Sequence, residues 1–133
     1  MQKGGTSAVT DVLSYGQRFE KCGLNLLNGP ENDIVAITNL TAAGAHMILF
    51  TTGRGTPVGA PVPTVKIATN SALAAHKPNW IDFNAGILAD GADMDKTAEE
   101  LFDFCISVAE GKETKNESRG YREISIFKDG VTL

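Results

Sequence analysis

The amino-acid sequence reads as α/β, with a mostly parallel sheet, and three features lead there. Short apolar runs, Leu24-Asn25-Leu26-Leu27, His46-Met47-Ile48-Leu49-Phe50 and Val65-Lys66-Ile67-Ala68-Thr69, have the length of strands and fall short of helices. Between the first two lies a stretch of three- and four-residue apolar spacing, so strand, helix and strand succeed one another within about thirty residues, the size of a βαβ unit. The chain has 133 residues, 42% of them apolar, which suits one compact domain with a genuine core. A βαβ crossover is right-handed almost without exception, so the sheet is at least partly parallel. The expected architecture is a three-layer Rossmann-like domain over residues 1–133.

The glycine-rich opening leads into Ser7-Ala8-Val9-Thr10-Asp11-Val12-Leu13, whose pattern fits a helical turn and an extended arm equally. Leu24 to Leu27 reads as a strand closed by the turn Asn28-Gly29-Pro30. Asn32 or Asp33 is placed to cap a helix whose residues Ile34, Ile37, Leu40 and Thr41 recur at helical spacing until Gly44 stops it. The run from His46 to Phe50 is continuously apolar after its histidine, as in a strand covered on both faces.

A glycine- and proline-rich connection from Thr51 to Thr64 leads to the strand Val65 to Thr69. Asn70 or Ser71 then caps a short helix that reaches His76 and is ended by Pro78. Trp80-Ile81-Asp82-Phe83 alternates as a half-buried strand does, and Asn84-Ala85-Gly86 turns away from it. The longest helix follows. Asp93 or Asp95 serves as its N-cap, Glu99 and Glu100 occupy early turns, and Ala98, Leu101, Phe102, Cys105, Val108 and Ala109 form an apolar stripe ended by Gly111. Lys112 to Arg119 is polar and reads as a loose surface loop. Tyr121 to Phe127 alternates like a strand at a sheet edge, and Lys128-Asp129-Gly130 makes a turn.

Lys and Arg number 12 against 16 Asp and Glu, a net charge of −4 with no basic cluster. A nucleic-acid partner is therefore not expected. No run approaches the ~18 apolar residues of a membrane helix, and Met1-Gln2-Lys3-Gly4-Gly5 opens no signal segment, so a soluble, cytoplasmic protein is expected. Cys22 and Cys105 stand far apart and make neither a zinc knuckle nor a redox pair; both are expected as reduced, largely buried thiols.

In an open parallel sheet, ligands collect at the carboxyl ends of the strands, where loops and helix amino termini bring unpaired N–H groups together. That rule selects Thr51-Thr52-Gly53-Arg54-Gly55-Thr56-Pro57, Thr69-Asn70-Ser71 and Asp82-Phe83-Asn84-Ala85-Gly86. Gly53 and Gly55 permit a tight turn that exposes N–H groups, Thr51, Thr52 and Thr56 offer hydroxyls, and Arg54 can grip a carboxylate with two prongs. The loop suits a small hydroxylated anion. It matches neither a dinucleotide fingerprint nor a Walker loop, and an ordinary surface turn accounts for the same residues.

Asn70 is placed either to bind a substrate hydroxyl or simply to cap its helix. Asp82 and Asn84, two apart, can hold a metal or a hydroxyl, or serve as turn formers. Lys66, the lone charge of its strand, can act as a general base or extend to solvent. His46 reads as structural and His76 as a surface residue at a helix end, so no complete metal site is spelled out.

Longer stretches carry a resemblance. Gly5 to Gly16, Gly23 to Leu27, Leu49 to Pro57, Val62 to Asn70, Trp80 to Gly86 and Tyr121 to Leu133 together resemble the C-terminal part of the altronate/galactarate dehydratase family, which also includes a sulfolactate sulfo-lyase. The resemblance spans essentially the whole chain. It implies a hydro-lyase of hexuronate (galacturonate) catabolism that converts D-altronate to 2-dehydro-3-deoxy-D-gluconate with the help of Fe2+ or another divalent metal. In that picture the loop amides and Arg54 hold the carboxylate, Asn70 and Asn84 the hydroxyls, and Lys66 or Asp82 is the base; the metal ligands stay unassigned.

Family members are several times longer, so the missing N-terminal region becomes an expected partner beside the sugar acid, and the isolated chain is expected to fold but to turn over substrate poorly or not at all. Two other readings remain open. One is a sugar-acid-binding module without chemistry. The other is an assembly domain whose apolar face meets the missing part of the enzyme or, by self-association, a second copy.

Overall fold

The computed structural model describes residues 4–125. The end of the expected last strand, Ile126 and Phe127, and the turn at Lys128 to Gly130 lie outside the described residues. The chain divides into two compact units, residues 4–45 with 124–125, and residues 46–123.

In the first unit β1 (Val9–Leu13) and β2 (Leu24–Leu27) pair in parallel, Val12 opposite Leu26 and Leu13 opposite Leu27. The ambiguous opening is thus a strand. Gly23 enters β2 at φ +108°, and a Cβ there would lie 2.3 Å from the Thr10 hydroxyl, so the tight entry requires glycine. Lys21 pairs with Asp11 at 3.0 Å, and its hydrogen bond is the main reason the Asp11 carboxyl is held below its ordinary value, with the Val12 N–H adding to it.

Helix α1 (Asp33–Ala43) is capped by Asn32, whose Oδ1 accepts from the N–H groups of Ile34 and Val35. It ends at Gly44, at φ 114°. Its buried face differs from the expected one. Val35, Ile37, Asn39 and Ala43 point inward, whereas Ile34 and Leu40 are exposed. Asn39 explains the choice of face: only 1% exposed, it donates from Nδ2 to the Asn28 carbonyl and accepts the Gly16 N–H at Oδ1, both at 2.9 Å. Two loops would lose main-chain partners if α1 rotated.

In the second unit β3 (Ile48–Thr52), β4 (Thr64–Ala68) and β5 (Phe83–Asn84) form a parallel sheet in the order β3-β4-β5. The α/β class and the parallel pairing hold. The strands are divided between two sheets, however, and β2 and β3 never share one, so the expected βαβ unit around α1 does not form. Spacing permits such a unit without enforcing it: β2 satisfies its hydrogen bonds on β1, and β3 finds its partner in β4. The sheet's helical crossover is β4, α2 (Ser71–His76), β5, while β3 and β4, also parallel, are joined without a helix.

β4 is buried along its length, as a central strand should be, whereas β3 leaves Leu49 exposed and so is not covered on both faces. β5 begins at Phe83 because the N–H groups of Trp80 and Ile81 turn back to the Lys77 carbonyl. Asn84 then caps a short 3₁₀ turn over Ala85–Leu88.

Helix α3 (Met94–Ala109) is capped by Asp93, which accepts the Lys96 N–H at 2.8 Å. Leu101, Phe104 and Val108 pack on the sheet face that carries Val65 and Ile67. Ala98 and Phe102, placed in the same stripe by spacing, are exposed. Leu73 of α2 joins Ala68 and Ile81 in a second cluster.

The segment after α3 is not the loose loop its polarity suggests. Thr114 and Asn116 are buried, and Asn116 donates to the Val58 carbonyl. Residues 121–125 form no strand, but Glu123 exchanges two bonds with Gly59: its N–H donates to the Gly59 carbonyl at 2.8 Å and its carboxylate accepts the Gly59 N–H at 2.7 Å. Among the described residues no helix is long and apolar enough to cross a membrane.

Candidate functional site at the carboxyl rim of the second sheet

Parallel pairing places the ends of β3, β4 and β5 on one rim, and the turns that follow them are bonded together. The Thr69 N–H and hydroxyl both donate to the Thr52 carbonyl, at 3.0 and 3.3 Å. Asn70 donates from Nδ2 to the Gly53 carbonyl at 3.1 Å, while its Oδ1 accepts the Leu73 N–H as the α2 cap. Asn84 donates to the Ser71 hydroxyl at 3.2 Å, and Ser71 donates to Asp90 at 2.6 Å. Gly86 presses so close to this junction that a Cβ would stand 2.2 Å from the Asn70 carbonyl carbon. The three segments singled out from the sequence therefore converge.

The first turn is shaped from within. Thr52 Oγ1 accepts the Gly55 N–H at 2.9 Å, Thr56 Oγ1 accepts the Val58 N–H at 3.4 Å, and Gly55 takes a φ of +78° with Leu73 and Lys77 close beneath it. Arg54 is exposed, and its guanidinium bonds to no other described residue. Lys77 donates to the Arg54 carbonyl at 2.9 Å while lying over the Trp80 ring. Two cations thus flank a turn with no carboxylate of its own, an arrangement favourable to an anion.

Lys66 and Asp82 lie one step below the rim, opposite each other in the ladder. The Lys66 N–H donates to Asp82 Oδ2 at 2.8 Å and the Asp82 N–H donates to the Lys66 carbonyl at 2.9 Å, so a side chain extends the main-chain pairing where β5 has yet to start. Asp82 Oδ1 accepts the Lys115 N–H at 2.9 Å. The Lys66 side chain is fully buried, with Nζ donating to the Thr56 carbonyl at 2.5 Å and lying over the Phe50 ring. It does not extend to solvent. Asp82 and Asn84, though two apart, serve different places: Asp82 the interior ladder, Asn84 the rim.

Lys77 and Asp90 join the rim without having been picked out for it by sequence, whereas Thr69 and Ser71 belong to the selected segment after β4. Nothing local marks Asp90, because its partner lies nineteen positions away. His46 and His76 are both exposed, His76 in the last turn of α2. Among the described residues no three of His, Cys, Asp and Glu come together to hold a metal ion. Cys22 is exposed, contrary to expectation; Cys105 is partly covered, and that loss of solvent raises its thiol pKa. A hollow of about 720 Å³ occurs in the first unit, lined by residues including Leu13, Phe19, Leu24 and Leu40 and by none of the rim residues. Asn25 borders it, with Oδ1 buried and lacking a partner among the described residues.

Fold and rim define a parallel α/β protein whose polar side chains gather at the strand carboxyl ends. The chain belongs to the D-galactarate/altronate dehydratase family, matching the description of its C-terminal part over residues 1–132. It is 58% identical over 132 residues to an altronate dehydratase of Escherichia coli and 51% identical over 133 residues to that of Bacillus subtilis; each match covers 99% of this chain and 27% of the relative. A galactarate dehydratase (L-threo-forming) of Escherichia coli is 42% identical over 129 residues, 94% of this chain and 25% of that protein. The chain thus spans about a quarter of the length of the curated relatives it matches.

Proposed function

We propose that this chain forms the C-terminal part of a soluble, cytoplasmic hydro-lyase of hexuronate catabolism that dehydrates D-altronate to 2-dehydro-3-deoxy-D-gluconate. Altronate is favoured over galactarate because identity to the altronate dehydratases is higher. The observation that carries the reading is the convergence of the three turns on one rim beside Arg54 and Lys77.

The elimination breaks the C–H bond beside the carboxylate, expels the neighbouring hydroxyl as water, and leaves an enol that becomes the 2-oxo acid. In this proposal Arg54, with the Gly53 amide and the hydroxyls of Thr52 and Thr56, holds the carboxylate, while Gly55, its N–H bonded to Thr52, shapes the turn; Asn70 and Asn84 orient hydroxyls. Lys66 stands ahead of Asp82 as the base, because its Nζ abuts the anion loop at Thr56 while both Asp82 oxygens accept main-chain N–H groups. Ferrous iron or another divalent ion, implied by the resemblance, would polarise the carboxylate; the described residues do not assemble a ligand set for it.

A second reading has its own support. The tethering of Lys66 and Asp82 to main-chain groups favours a binding or assembly domain whose base and metal ligands come from the rest of the enzyme. Calorimetric titration of the chain with altronate, alone and with ferrous ion, followed by assay for the 2-oxo acid, tests both. Binding with turnover supports the dehydratase role for this chain by itself, and binding without turnover supports the second reading. Failure to bind sugar acids would overturn the rim as a substrate site.

A further inference from the structure

A helix packed on one layer needs an apolar stripe of about 100°, and α3 carries nearly twice that. At roughly 100° per residue, Thr97, Leu101, Phe104 and Val108 face the sheet and are covered, the last three with Val65 and Ile67. Alongside them runs a second row at four-residue spacing, Met94, Ala98, Phe102 and Ile106, continued by Ala109. Met94 is 63% exposed, Phe102 65% and Ile106 44%, and Ala98 and Ala109 are exposed as well. The charged residues Asp95, Glu99, Asp103 and Glu110 border the row on its far side and leave it uninterrupted. Such a row on a soluble helix marks a contact surface.

We infer that the row Met94, Ala98, Phe102 and Ile106 is the seat of the N-terminal remainder of the dehydratase polypeptide. The occupant follows from length: this chain accounts for 27% of the altronate dehydratases it matches, and the matching family region is C-terminal, so about three-quarters of such an enzyme lies on the amino-terminal side. A domain severed from a larger chain displays the apolar surface it normally buries, and Phe102 supplies the large central side chain that anchors such contacts. The inference rests on family membership and not on the sugar-acid reading of the rim, so either can fail alone.

Hydroxyl-radical labelling of Met94, Phe102 and Ile106, read by mass spectrometry, tests it on the 133-residue chain and on the same chain fused behind the N-terminal remainder of the Escherichia coli altronate dehydratase. Labelling should fall several-fold in the fusion. A second measurement avoids dependence on the fusion: Phe102→Asp should leave the melting of the isolated chain unchanged and weaken its association with the separately expressed N-terminal fragment several-fold. Equal labelling in both forms, or an unaltered association, would overturn the inference. Protection in the isolated chain that grows with concentration would put a second copy on the row and overturn it as well.

Discussion

Asp82 and Lys115 secure one another from both ends: Asp82 Oδ1 accepts the Lys115 N–H at 2.9 Å, and the Lys115 ammonium returns to the carbonyls of Pro78 and Ile81, the latter immediately before Asp82. The other Asp82 oxygen holds the Lys66 N–H at the middle of the central strand. One carboxylate thereby joins β4, the approach to β5 and the segment after α3.

Asp82→Ala leaves two main-chain donors without their acceptor and should lower stability by about 3 kcal/mol, with Asp82→Asn costing less because one acceptor oxygen survives. Urea unfolding of the two variants measures this. A loss below about 0.5 kcal/mol in both would remove the tether role. If Asp82 were instead the base, Asp82→Asn in the fused enzyme would retain stability and abolish turnover.

Arg54→Ala should weaken altronate binding about ten- to hundredfold, the worth of a charged hydrogen bond, with circular dichroism unchanged because Arg54 is exposed and bonded through its side chain to no described residue. Titration calorimetry reads the affinity. Wild-type affinity in the variant would move the carboxylate to another site.

Gly86→Ala has no room. Its Cβ would fall 2.2 Å from the Asn70 carbonyl carbon and 2.3 Å from the Ser71 nitrogen, so either the rim opens or the variant fails to fold. We expect a loss of about 4 kcal/mol or more, seen as a lowered thermal midpoint. A variant that melts with the wild type would show that the β4 and β5 turns are not in such close contact.

Asn39→Ala should cost about 2–3 kcal/mol by stranding the Gly16 N–H and the Asn28 carbonyl. Asn39→Asp keeps the acceptor for Gly16 but sets a buried carboxylate oxygen against the Asn28 carbonyl, so it should cost at least as much. Equal stability of all three proteins in denaturant would mean that Asn39 does not select the buried face of α1.

The thiols should react in order. Cys22 is exposed, whereas burial pushes the Cys105 thiol above its usual value, so Cys105 forms thiolate only at higher pH. With a thiol reagent near pH 7.5, a pH below the ordinary thiol value of about 8.5, Cys22 should be modified first, and raising the pH should accelerate Cys105. Equal rates at neutral pH would contradict the burial of Cys105.

Much of the rim is legible in the sequence, because strand carboxyl ends attract ligands wherever strands run parallel and the turn residues are local signals. Thr52, Gly53, Arg54, Gly55, Thr56, Asn70 and Asn84 gather there for that reason. Asp90 was not readable, since its link to Ser71 depends on how the 3₁₀ turn folds back. The different tasks of Asp82 and Asn84 were hidden as well, because alternation on a strand says nothing about where that strand begins.

The sequence alone determined where the three helices and the strand cores of β2, β3 and β4 lie, with Gly44 as a helix end, and it narrowed each N-cap to two candidates, from which the structure takes Asn32, Asn70 and Asp93. These depend on backbone chemistry within a few residues, and that chemistry is written locally. Only the tertiary structure decided that β2 pairs with β1, that α1 turns Asn39 inward, and that Lys66 is sealed against Thr56. Each of those outcomes is a choice among distant partners of similar local merit, and it is made by whichever arrangement leaves the fewest buried hydrogen-bonding groups unmatched.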